Sequence, residues 1–100
     1  SQIFFMLYNN KIILMNINRL IAIVKNKLET EIVIQKLKIE DKSFLHKNHK
    51  GHEKGKFHLK LIINSDELAK MSKIASTKKI YNVLDFELKK YIHSIQILLN

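Results

Sequence analysis

Backbone punctuation limits this chain more than any other feature. It has no proline, and both glycines, Gly51 and Gly55, fall in one short stretch. Gly and Pro are the strongest local breakers of regular structure, so the main irregular segment is expected there, with regular structure on either side. One hundred residues make one domain, because two would each be too small to bury a core. An apolar fraction of 46% belongs to a folded chain rather than a disordered one.

Hydrophobic spacing supplies the elements. Ile13, Ile17, Leu20, Ile21, Val24 and Leu28 recur in steps of three and four, the helical period, and predict a helix over 15–30 with Asn16 or Asn18 as cap. Over 32–43 the period changes: Leu37 and Ile39 alternate with Lys36, Lys38 and Glu40, as in a half-buried strand. Residues 44–56 read as a loop. In 57–63 Phe57, Leu59, Leu61 and Ile63 share one face of a second strand, which should pair with the first as a hairpin. Asn64-Ser65-Asp66-Glu67 is a helix start, with a cap and an acidic pair suited to the positive end of the helix dipole. Leu68, Met71, Ile74 and Ala75 continue it as an apolar stripe. Ser76-Thr77 reads as a second cap, opening a longer helix through Ile80, Val83, Leu84 and Leu88. A β-rich segment from Ile92 closes the chain, returned by the helical crossover parallel to an earlier strand. The predicted fold is α+β, in the order α-β-β-α-α-β, with a three-stranded mixed sheet covered by helices on one face. It occupies residues 16–100; residues 1–15 read as an N-terminal extension or targeting remnant.

Composition then removes whole classes of function. There is no cysteine, so no disulfide, thiolate metal site or cysteine nucleophile is available. Any metal must be held by His, Asp or Glu, or by a partner's ligands. The apolar run from Ile3 to Tyr8 is too short to span a membrane. Acidic residues are missing before Glu29 while Lys11, Arg19, Lys25 and Lys27 are present, a bias similar to the tail of an organelle transit peptide. The compartment expected is cytoplasmic or mitochondrial. A net charge of +9 favours acidic partners without choosing among them. No P-loop, dinucleotide fingerprint, nucleophile elbow or zinc-protease motif occurs, so no enzyme is expected.

Four pieces of sequence, in order, resemble the BolA family over roughly residues 20–98. Leu37-Lys38-Ile39-Glu40-Asp41-Lys42-Ser43 is similar to a first strand ending in Asp-x-Ser. His49-Lys50-Gly51-His52 is similar to the family's His-x-Gly-His loop. Phe57-His58-Leu59-Lys60-Leu61-Ile62-Ile63 resembles its second strand, and Leu84-Asp85-Phe86-Glu87-Leu88 with Ile92-His93-Ser94 resembles its closing motifs. The resemblance implies a fold related to type II KH domains. It also implies a non-enzymatic adaptor, monomeric alone, that pairs with a monothiol glutaredoxin and shares a [2Fe–2S] cluster in cluster trafficking or iron regulation. The family's Arg-His-Arg motif, which the resemblance makes a source of a cluster ligand, falls here on Ser76-Thr77-Lys78. A hydroxyl is a poor ligand for such iron.

Imidazole is a suitable ligand, and the loop offers His46, His49 and His52. On this reading His49 or His52, with His46 as substitute, supplies the chain's ligand, and cysteine and glutathione thiolates come from the partner side. The bland alternative is a His- and Lys-rich loop that binds nothing. For His58 a structural or surface role is expected, and for His93 a hydrogen-bonded or partner-contacting one. Lys70, Lys73, Thr77, Lys78, Lys79 and His93 form the expected partner contact. The competing function is KH-like nucleic-acid binding through the same lysines, although no G-x-x-G loop lies between Lys70 and Thr77. A third possibility is a partner-binding domain without cluster chemistry.

Overall fold

The computed structural model describes residues 4–8, 11–43 and 57–100. Phe4–Tyr8 (β1) and Lys11–Met15 (β2) pair antiparallel as a two-stranded sheet in the segment read as an extension. Met15 is fully buried in the main core. Asn16 caps α1 (Ile17–Glu31), accepting the Arg19 N–H at 2.9 Å, and α1 turns Leu20, Val24 and Leu28 inward. The strands β3 (Lys36–Asp41) and β4 (Phe57–Asn64) follow, then the short α2 (Asp66–Ala69), α3 (Lys73–Val83), α4 (Asp85–Lys90) and β5 (Ile92–Leu99).

The main sheet has the order β3-β4-β5, antiparallel on one side of β4 and parallel on the other. It is the mixed three-stranded α+β fold the periods predict. In β4, Phe57, Leu59, Leu61 and Ile63 are all buried, and Leu59, Leu61 and Ile63 pair with Ile95, Ile97 and Leu99 of β5. This face receives α1 and, from the crossover, Leu68, Ile80 and Leu84. Each such buried side chain contributes about 1.5–3 kcal/mol of hydrophobic stabilisation. The other face carries Lys38, Glu40, Lys60, Ile62, Gln96 and Leu98. Glu40 there bridges Lys38 and Lys42 at 3.3 and 3.4 Å, and these lysines hold its carboxyl below the usual range.

The crossover differs from the sequence reading in two ways. Ser72, not Ser76-Thr77, caps the longer helix by accepting the Ala75 N–H at 3.1 Å. Ser76 lies a turn inside α3, buried, its hydroxyl donating to the Lys73 carbonyl at 3.0 Å. A serine can satisfy itself that way within a helix, so its presence does not mark a start. Ile74, read as part of the apolar stripe, is 83% exposed. The helix stops at Ala69 and restarts at Lys73, so the phase set by Leu68 and Met71 does not carry across the break. The helix also bends at Leu84, which separates α3 from α4.

A hydrogen-bonded latch fastens α2 to the connection between α1 and β3. Ser65 caps α2 through the Leu68 N–H and donates its hydroxyl to the Val33 carbonyl at 2.7 Å. Glu67 accepts from the Val33 N–H at 3.0 Å and pairs with Lys79. The Lys79 ammonium first, then the Val33 amide, holds the Glu67 carboxyl below its ordinary 4.5. A depressed carboxylate stabilises the fold above its unfolded-state value, and that contribution disappears as pH falls through the folded one. The urea midpoint of Glu67→Gln is therefore expected below wild type at neutral pH, with the two curves converging under acid. A gap that persists unchanged in acid would mean the carboxylate charge is not what the latch uses.

Candidate functional site

The first three residues of β5 are laid down irregularly. Phe57 is opposite Ile92, but His58 is opposite Ser94, so His93 is an extra residue in β5. Such a bulge leaves one residue outside the ladder and re-aims its side chain. The apolar pattern requires it: Ile92 and Ile95 both face the helices although they are three residues apart, an odd step that an unbroken strand cannot accommodate. His93 is consequently exposed at the end of the sheet.

His58 backs it. This ring is buried, its Nδ1 is hydrogen-bonded to Ser94 Oγ at 2.7 Å, and it meets the His93 ring edge-on at a centroid distance of 4.9 Å. The backbone beneath is held by the Asp-x-Ser ending of β3. Asp41 Oδ1 accepts the Ser43 N–H at 2.9 Å, Ser43 Oγ accepts the His58 N–H at 3.0 Å, and the Lys42 N–H donates to the His58 carbonyl at 2.7 Å. On the other side the Phe57 N–H donates to the Tyr91 carbonyl at 2.8 Å. The result is one imidazole fixed in the wall and a second presented to solvent beside it. Ser43 and Phe57, the described residues on either side of 44–56, both lie at this end of the sheet.

His46, His49 and His52 lie outside the described residues. Of the remaining expected contacts, Lys70 is exposed at the end of α2, while Lys73 and Lys78 are exposed on α3. Thr77 is half-buried on α3, and the Lys79 charge is taken up by Glu67. His58, Ser94, Ser43 and Asp41 were not singled out from the sequence as site residues. Their signal was present in the Asp-x-Ser ending and in the odd step between Ile92 and Ile95. Among the described residues no three His, Cys, Asp or Glu side chains come together, and no helix is long and apolar enough to cross a membrane. The exposed imidazole fits a metal group whose other ligands come from elsewhere, and cysteine cannot be one of this chain's own.

The class defined is a small α+β domain, built on a three-stranded mixed sheet, that offers an imidazole at one sheet end. Residues 28–100 match the BolA-like protein family, and the chain belongs to it. It is 31% identical over 75 residues to the DNA-binding transcriptional regulator BolA of Haemophilus influenzae, covering 75% of this chain and 70% of that protein. Among solved structures it is similar to the BolA domain of SufE1 from Arabidopsis thaliana, with 30% identity and a TM-score of 0.67. It is also similar to BolA1 from Arabidopsis thaliana, with 27% identity and a TM-score of 0.68. In both cases 79% of this chain and 87% of the other are covered.

Proposed function

We propose that this BolA-family chain is a non-enzymatic adaptor of the cytoplasm or mitochondrion that binds a monothiol glutaredoxin and shares a [2Fe–2S] cluster with it. The observation that carries this reading is the bulge that presents His93 beside the fixed His58. In [2Fe–2S] centres two imidazoles can replace two thiolates on one iron. His93 would be one imidazole ligand from this chain, and His49 or His52 supplies a second. The partner's cysteine and glutathione thiolates then hold the other iron. Thr77 takes no part in ligation. His58 acts as a positioning residue, limiting the orientations open to the His93 ring.

The test is a titration of the chain into cluster-loaded monothiol glutaredoxin, followed by visible circular dichroism. A changed cluster spectrum that saturates at equal stoichiometry supports the reading. A complex with an unchanged spectrum would leave a partner-binding domain without ligation, and the absence of any complex would overturn the reading.

A second function is favoured by one specific observation. The Haemophilus influenzae relative bears the name of a DNA-binding regulator, and Lys70, Lys73 and Lys78 are exposed here. Phosphate contacts from these lysines would give binding that collapses steeply with salt, whereas a specific protein contact is less salt-sensitive.

A further inference from the structure

The outward face of α3 joins groups that the fold itself does not use. Ser76 and Ile80 point α3 into the core. On the opposite side, at helical spacing, stand Ile74, Lys78 and Tyr81, with Ile74 83% and Tyr81 43% exposed. Lys73 opens α3, and Lys70 lies just before it as the C-terminal cap of α2. A single exposed apolar residue is ordinary; an isoleucine and a tyrosine bracketing a lysine on one rigid face are a surface. The charges are also uncompensated. Lys79 is paired with Glu67, whereas Lys70, Lys73 and Lys78 have no ion pair among the described residues. The sequence of α3 contains no acid. Lys73 moreover occupies the first turn, where the helix dipole disfavours a cation. Its position gains nothing for the helix and adds positive potential to the face.

We infer that this face docks an acidic protein surface that has an apolar socket for Ile74, with Lys70, Lys73 and Lys78 contacting the acidic rim. Charge complementarity selects an acidic partner, and the aliphatic Ile74, 83% exposed, selects a protein over nucleic acid, since it offers a phosphate nothing to bond. The inference rests on the glutaredoxin reading for the identity of the partner and adds where that partner sits. Anchors of this kind bury an apolar or aromatic side chain centrally and leave charges at the rim.

The test is calorimetric titration of the full chain with monothiol glutaredoxin at two salt concentrations, alongside a duplex DNA. Ile74→Glu retains a good helix former at an exposed position and is expected to weaken glutaredoxin binding at least about tenfold, the scale of an interface anchor, with unchanged far-ultraviolet circular dichroism. Lys73→Glu combined with Lys78→Glu is expected to weaken it further and flatten its salt dependence. Wild-type affinity in Ile74→Glu would overturn the inference while leaving the glutaredoxin reading intact. Loss of DNA binding in Ile74→Glu with glutaredoxin binding unchanged would also overturn it, in favour of a nucleic-acid face. If the wild-type chain shows no affinity for glutaredoxin, both fall together.

Discussion

Replacing His93 by alanine is expected to leave the fold and the partner complex in place while removing the change the chain makes to the cluster spectrum. The side chain is exposed on a bulge and its ring meets His58 edge-on, so its loss should alter stability by no more than about 1.5 kcal/mol. On the proposed reading its loss as a ligand would weigh far more. Without the His93 imidazole this chain would hold a bound cluster less firmly, since even disturbing a group behind a ligand typically costs about 10–100-fold in metal affinity. A shortening of cluster lifetime by at least that factor is expected, measured by the decay of visible absorbance under a chelator. His93→Cys separates ligation from mere shape. A thiolate is a competent ligand, so the cluster should return with a spectrum nearer the all-cysteine type and a lower reduction potential. If His93→Ala changes the partner's spectrum as wild type does, the ligand lies elsewhere, and the same measurement on His49→Ala combined with His52→Ala identifies it.

The second large effect concerns stability. Glu87 on α4 is only 3% exposed and is paired with Lys27 of α1 at 2.6 Å. Its Oε1 has no hydrogen-bond partner among the described residues. Burial pushes the neighbouring Tyr91 phenol up, and the Glu87 carboxylate adds to that. Removing the cation leaves a buried carboxylate uncompensated, which typically costs 3–5 kcal/mol. Lys27 is 40% exposed, so water can partly replace it, and Lys27→Met is expected to cost about 3 kcal/mol, the lower end of that range. Methionine keeps most of the apolar stem, though it gives up the ammonium 5.7 Å from the Phe86 ring. Adding Glu87→Leu removes the stranded charge, and the double variant should recover most of the loss, because a well-packed apolar pair often equals a buried ion pair. Urea midpoints of the four proteins close the cycle. Equal stability of Lys27→Met and wild type would show that the pair is already solvated.

Most of the fold was legible because its elements differ in period. The alternation of Phe57, Leu59, Leu61 and Ile63 can only be a strand with one buried face, and Leu20, Val24 and Leu28 can only form a helical stripe. The crossover was less legible. A serine signals a helix start wherever its hydroxyl can reach a backbone N–H, and the sequence does not distinguish the cap at Ser72 from the internally satisfied Ser76. That choice reset the phase and turned Ile74 outward.

The candidate site divides in the same way. The residue types were set in the sequence: no thiolate, a run of histidines in the one glycine-bearing segment, and His93 at the start of the last strand. These fix the chemistry on offer as imidazole and ammonium, because side-chain type does not depend on the fold. Their arrangement was left to tertiary structure. His58 and His93 are far apart in sequence, and the parallel pairing of β4 with β5 brings them together. The one-residue bulge then separates their roles, one ring held in the wall by Ser94 and the other turned to solvent. Local periodicity records which face a residue prefers. It does not record which distant strand will lie beside it, since that is decided by the packing of α1 and the crossover on a single shared core.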